Sequence, residues 1–160
     1  MHYIEAPDSY SEYVLHKSVY LAGGITNCPD WQQQMVHLLR HTDYTLLNPR
    51  RQCFPIADPN ASHEQITWEH HALRDASVIL YWFPCETLCP IVLYELGAWS
   101  MTEKPFYVGV HPQYARRTDV EIQTLLARPE VKIVYSLEAL AEQVQNHKFE
   151  QITRTQLKTA

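Results

Sequence analysis

The chain has 160 residues, 46% of them hydrophobic and 19% charged, and a formal net charge of −5 with its nine histidines neutral. That length suits one domain able to bury a sizeable core. The lack of a basic excess argues against a nucleic-acid surface, and no apolar run approaches the ~18 residues of a membrane span.

Residues 1–17 mix aromatic and aliphatic side chains without a period, so they read as an irregular lead-in to a single domain covering 1–160. The lead-in has no hydrophobic signal core, which predicts a cytoplasmic protein. There Cys28, Cys53, Cys85 and Cys89 read as thiols rather than a disulfide frame. Cys85 and Cys89 carry one spacer too many for a C-x-x-C motif, and no zinc-type spacing accompanies them. Neither a metal nor a cofactor is predicted.

Ser18 to Ala22 is a short apolar run closed by Gly23-Gly24, the pattern of a buried strand and tight turn. Asn27 or Asp30 is placed to cap a helix over Pro29 to His41, with Trp31, Met35, Leu38 and Leu39 on one side. Tyr44 to Leu47 forms a second strand, broken by Asn48-Pro49-Arg50-Arg51 and a proline-rich loop. Ser62 and Gln65 have capping-box spacing and open a helix running to Ala76. Its expected apolar stripe is Ile66, Leu73 and Ala76, and Glu69 falls on that stripe. Ser77 to Phe83 is apolar on both faces, as a central parallel strand is. Pro90 suits the first turn of the helix that follows. On that helix Glu95 has only apolar neighbours three and four residues away: Ile91, Val92, Ala98 and Trp99. Pro105 to Val110 is a fourth strand. Thr118 or Asp119 caps a helix to Ala127, Val131 to Tyr135 is a fifth strand, and Ser136 caps a last helix before a polar, frayed tail.

Strands alternating with helices predict a parallel sheet covered on both faces. The expected fold is an α/β three-layer sandwich, flavodoxin-like (Rossmann-like), with five parallel strands in the order 2-1-3-4-5. Its ligand crevice lies at the switch point between strands one and three. Gly23-Gly24, Glu69 and the loop leading to Glu95 converge on that crevice. The glycine pair is neither G-x-G-x-x-G nor a P-loop. It serves either a turn or the close approach of a ring or sugar to the backbone.

Two inward carboxylates beside one crevice suit glycosidic cleavage, with one attacking or stabilising the anomeric carbon and the other protonating the leaving group. The alternatives left open are a structural Glu69 paired to Arg74, His70 or His71, and a Glu95 at the crevice margin. His70 and His71 read as helix-surface residues. Trp31 is the candidate for stacking on a base, while Trp82 in mid-strand reads as core.

Tyr20-Leu-Ala-Gly-Gly, Trp68-Glu69 ahead of Leu73-x-Asp75-Ala76-Ser77, and Tyr94-Glu95-Leu96-Gly97 together resemble the nucleoside 2-deoxyribosyltransferase family, over about Ser18 to Val144. The nearest likeness is to a subgroup with Asn-Pro-Arg-Arg after strand two and Phe-Pro-Cys-Glu-Thr-Leu-Cys-Pro before the nucleophile helix. The resemblance implies that Glu95 is a nucleophile forming a glycosyl-enzyme, that Tyr20 orients it, and that Glu69 meets the base and assists its departure. It also implies a homo-oligomer, with an amide from a neighbouring subunit reaching the sugar 5′-hydroxyl; Gln123 falls near that place. The family's acid in an Asp-Gly-Ser/Thr stretch falls here at Cys89, with Glu86 the nearest substitute. Ile25, beside the glycines, and Asn48, after strand two, complete the substrate-binding set of Gly23, Gly24, Trp31, Glu86, Cys89 and Gln123. The partner expected is a small-molecule nucleoside or nucleotide.

Three functions follow as expectations. The first is an N-glycosyl enzyme that exchanges or hydrolyses the base of a nucleoside. The second is a nucleoside 5′-monophosphate N-glycosidase, which requires arginines in the pocket: Arg50 and Arg51, or Arg116 and Arg117 if these are not a solvated pair. The third is a non-catalytic nucleotide-binding module on the same scaffold.

Overall fold

The computed structural model describes residues 1–10 and 12–149. The polar tail expected to fray lies outside those residues. Five parallel strands form one sheet: β1 (His2–Glu5), β2 (Ser18–Gly23), β3 (Thr45–Asn48), β4 (Val78–Phe83) and β5 (Phe106–Val110), in the order β1-β3-β2-β4-β5. Five α-helices connect and follow them: α1 (Trp31–Leu38), α2 (Ala61–Asp75), α3 (Pro90–Ser100), α4 (Arg117–Ala127) and α5 (Leu137–Gln145). This is the flavodoxin-like α/β architecture, with two differences from the expected strand order.

The lead-in is not irregular. Residues 2–5 add an edge strand, with His2 opposite Thr45 and Glu5 opposite Asn48, and a short 3-10 helix spans Glu12–Lys17. An edge strand half open to water needs no apolar run, so it leaves no period in the sequence. The predicted fifth strand, Val131 to Tyr135, shrinks to one parallel bridge between Gly109 and Val134. The four strands between keep the expected relation, and the chain reverses direction across the sheet between β2 and β4.

Side chains alternate between two cores. On one face α1 and α5 cover Val19, Leu21, Leu46, Val78, Leu80 and Trp82. On the other, α2, α3 and α4 cover Tyr20, Ala22, Leu47, Ile79, Tyr81 and Phe83. Every residue of β2, β3 and β4 is buried, which explains why these strands read as continuous apolar runs.

The helix ends follow local chemistry. Asp30 accepts a hydrogen bond from Gln33 N at 3.0 Å, and Ser136 accepts one from Ala139 N at 3.2 Å. The expected Ser62–Gln65 capping box does not form, because the cap position of α2 is Asn60, two residues before Ser62, and Gln65 turns inward. Neither Thr118 nor Asp119 caps α4; Arg116 stands at that position, and Asp119 in the first turn accepts a bond from it at 2.9 Å. Ile66 is 65% exposed and drops out of the expected stripe, while Leu73 and Ala76 are buried as expected and Ala61, Trp68 and Ala72 complete the buried side of α2.

Candidate active site

The turn after β2 is held from below. Trp31 Nε1 donates to Gly24 O at 2.9 Å, and Gln32 Nε2 donates to the same oxygen at 3.3 Å. A Cβ on Gly23 would lie 2.4 Å from Trp31 Cζ2; one on Gly24 would lie 2.8 Å from both Pro84 and Thr87. Neither glycine has a positive φ. Their missing side chains serve close packing of the β2 and β4 loops, not a special turn conformation.

On the β4 side, Cys89 takes a left-handed conformation (φ 48°, ψ 52°) and passes the chain to Pro90 at the first position of α3. Val92 and Leu96 point into the core, and Glu95 lies between them on the side facing β2. Ile91 and Ala98 are exposed, so the apolar surround of Glu95 comes from the sheet as much as from its own helix.

A cavity of about 350 Å³ opens at the switch point. Gly23, Gly24, Ile25 and Thr26 form one wall; Thr87, Cys89, Pro90 and Ile91 form the other. Tyr20, Ala22 and Val92 line its depth, where Glu95, Glu69 and Pro49 also meet. Gln65 fixes Glu69: its Nε2 donates to Glu69 Oε1 and to Pro49 O, both at 2.7 Å. Glu95 has no protein hydrogen-bond partner among the described residues. Burial, and then the Glu69 charge, push its carboxyl up to about 8. Burial also raises Glu69, against the opposing pull of the Gln65 hydrogen bond and Arg51. The Tyr20 phenol is held well above its ordinary range by burial, then by Glu69 and Glu95. Both carboxyls are thus held above the ordinary carboxylate range, Glu69 with a hydrogen-bonded partner in Gln65 and Glu95 without one.

The other predicted site residues fall in several places. Gly23, Gly24, Ile25 and Cys89 line the cavity with the two glutamates and Tyr20. Burial pushes the Cys89 thiol up to about 12, so it offers no thiolate. Trp31 is 2% exposed and packs beneath Gly23, which removes it from any stacking surface in the cavity. Asn48 is buried, donating to Tyr3 Oη at 2.7 Å and accepting from Arg50 N at 3.0 Å. It faces a neighbouring polar cleft that shares Ile25 with the cavity. Glu86 is exposed and does not line the cavity. Gln123 lies on α4, in a separate cleft with Leu93, Gly97 and Met101.

None of the arginines considered for a phosphate lines the cavity. Arg50 donates to Pro29 O, Cys28 O and Gln32 Oε1. Arg51 pairs with Glu64 at 2.7 Å. Arg116 and Arg117 pair with Asp119 and Glu121 on α4. His70 and His71 are exposed. The sequence reading missed Thr26, Pro49 and Thr87 in the walls and Gln65 behind Glu69. Gln65 had a signal: it stands four residues before Glu69, the spacing at which helical side chains touch.

A family model described as nucleoside 2-deoxyribosyltransferase like matches residues 16–114, more than half of the chain. The chain belongs to that family. The matched span runs from just before β2 past β5 and contains Tyr20, Glu69 and Glu95, while Gln123 lies beyond it. Membership supports a nucleoside glycosyl-transfer function at the level of the family. A search of curated proteins gives no match.

Proposed function

We propose that this protein cleaves the N-glycosidic bond of a (2-deoxy)nucleoside and passes the sugar to a second base or to water. The observation carrying this reading is that Glu69 and Glu95, from separate helices, line one cavity with Tyr20 at the switch point of the sheet. A Glu95 oxygen attacks C1′ as the C1′–N bond breaks. The bonding electrons leave on the base, and the single proton of the carboxyl pair goes to its ring nitrogen with the help of Glu69. The product is a sugar ester on Glu95 and a neutral base. A second base then attacks C1′, returns a proton to the pair and frees Glu95; water in its place gives the free sugar.

The lack of cationic side chains among the described residues lining this cavity favours a nucleoside over its 5′-monophosphate. The four free thiols fit a reducing, cytoplasmic setting. No helix among the described residues is long and apolar enough to cross a membrane.

Incubation with a 2′-deoxynucleoside and a second free base tests the reading. Exchanged nucleoside or free sugar is expected from the wild type, with loss of at least about 1,000-fold in Glu95→Ala. Full turnover by Glu95→Ala would remove Glu95 as nucleophile. Tight nucleoside binding without turnover in the wild type would point to the binding-module reading.

A further inference from the structure

Tyr81 stands at the centre of β4, opposite Ala22 of β2, and is fully buried. Its ring is stacked on Phe83 (centroids 6.5 Å apart, planes at 14°) and meets the edge of Phe106 at 5.8 Å and 85°. Phenylalanine would fill that aromatic sandwich equally well. The hydroxyl is the anomaly: it is buried, and it has no hydrogen-bond partner among the described residues. An unmet buried hydroxyl costs about 1–3 kcal/mol, so native proteins rarely keep one without use.

Tyr81 lies in the core next to the site, since its strand partner Ala22 lines the cavity. Tyr81 belongs to the same core cluster as Tyr20, Ala22, Val92 and Leu96, the last two flanking Glu95 on its helix. Burial holds the Tyr81 phenol well above its ordinary range, and the Glu95 charge adds to that shift. Glu95 itself has no protein partner among the described residues. Thus a phenol that can donate and a carboxyl that accepts when ionised both lack a partner among the described residues, on a strand and a helix packed in one core.

Resting on the glycosyl-transfer reading, we propose that Tyr81 is a positioning residue whose hydroxyl donates to the Glu95 carboxylate from the core side, leaving the other oxygen to attack C1′. The bond forms when Glu95 gives up its proton, because a phenol donor binds a charged carboxylate more strongly than a neutral carboxyl. Tyr20, on the adjacent strand, lines the same cavity as Glu95, so phenols of β2 and β4 stand on the sheet beneath that carboxyl. A donor fixed in a rigid aromatic stack costs little reorganisation as the carboxylate turns to attack.

Tyr81→Phe tests this, because it deletes one oxygen and keeps the packing. Base release is expected to slow by about 10- to 100-fold in kcat with KM nearly unchanged. The Glu95 carboxyl, followed by its carbon NMR signal, is expected to titrate at higher pH than in the wild type, since a bond to its charged form is lost. Introducing 3-fluorotyrosine at position 81 makes the phenol a stronger donor and is expected to move the same midpoint down. This variant serves equally if Tyr81→Phe folds poorly. An unchanged Glu95 midpoint in both variants overturns the proposal, whatever the turnover. The glycosyl-transfer reading fails separately, if the wild type releases no base or Glu95→Gln releases it at the wild-type rate.

Discussion

At the residue scale, the chemistry depends on two carboxyls that cannot both ionise cheaply. Glu95 is raised to about 8 by burial and by Glu69, and Glu69 is raised by burial. In the proposed reaction base departure consumes one proton and attack needs one carboxylate, so the singly protonated pair is the form expected to act. The expected pH profile of kcat/KM is bell-shaped, with an alkaline limb near 8 where the pair loses its last proton. In Glu69→Gln the charge that helps raise Glu95 is gone, so any remaining activity should lose that limb to lower pH. A limb unmoved by Glu69→Gln would show that the two side chains do not titrate together. Stability follows the same shift. The folded Glu95 pKa lies above its unfolded value, so stability is full at acid pH and falls as pH rises from about 4.5 to about 8. Glu95→Gln has no proton to lose. It should match the wild type near pH 4 and exceed it by on the order of a few kcal/mol near pH 8, measured by denaturant unfolding. These two glutamates were legible in the sequence because helical period marks an acid among apolar neighbours. Trp31 shows the limit of that reading. An aromatic residue just past a glycine turn looks alike whether it faces a ligand or seals the turn, and only the Nε1 bond to Gly24 O decides it.

At the scale of elements, the interior strands were legible and the edges were not. β2, β3 and β4 are buried on both faces, so their composition alone marks them. β1 has two exposed residues and two half-buried ones, a pattern that any polar segment can show. Val131 to Tyr135 has strand-like composition yet makes a single bridge, because composition sets what a segment can pair with and not how far the pairing runs. The end of α2 shows a further device with no sequence signal. Lys104, from the loop before β5, donates through Nζ to the carbonyls of Leu73, Arg74 and Ala76, and lies 5.3 Å from the Trp99 ring centroid. It thereby satisfies carbonyls at the C-terminal end of the helix that carries Glu69 and ties that helix to α3. Lys104→Met keeps most of the stem but removes every one of these bonds. The expected cost is about 2 kcal/mol in urea unfolding, with faster amide exchange along the last turn of α2. An unchanged midpoint would mean that water replaces the ammonium at no cost.

At the scale of the whole molecule, the helix bearing Glu95 leaves apolar side chains in water. Ile91 and Tyr94 on α3 and Met101 just after it are 64%, 77% and 80% exposed, and Ile122, Leu125 and Leu126 on α4 are also exposed. The α3 set recurs at three- and seven-residue steps, the spacing of one helix face. Ile91 belongs both to that face and to the wall of the cavity. Gln123 opens on the cleft between the same two helices and not on the cavity of its own chain. Both facts fit a homo-oligomer in which this face is covered by another copy and the Gln123 amide serves the neighbour's sugar. A second copy is expected to bury Tyr94 and Leu126, so a charge at either place should split the assembly. Light scattering on the purified protein should give a multiple of the 18.7 kDa chain mass, and Tyr94→Arg or Leu126→Asp should give the monomer. Gln123→Ala should keep the assembly and weaken nucleoside more than free base, because only the nucleoside carries a 5′-hydroxyl. A wild-type mass equal to one chain would leave Gln123 without a sugar to reach and Ile91 as a wall open to solvent. The cavity would then have to act with no more than the residues one copy supplies.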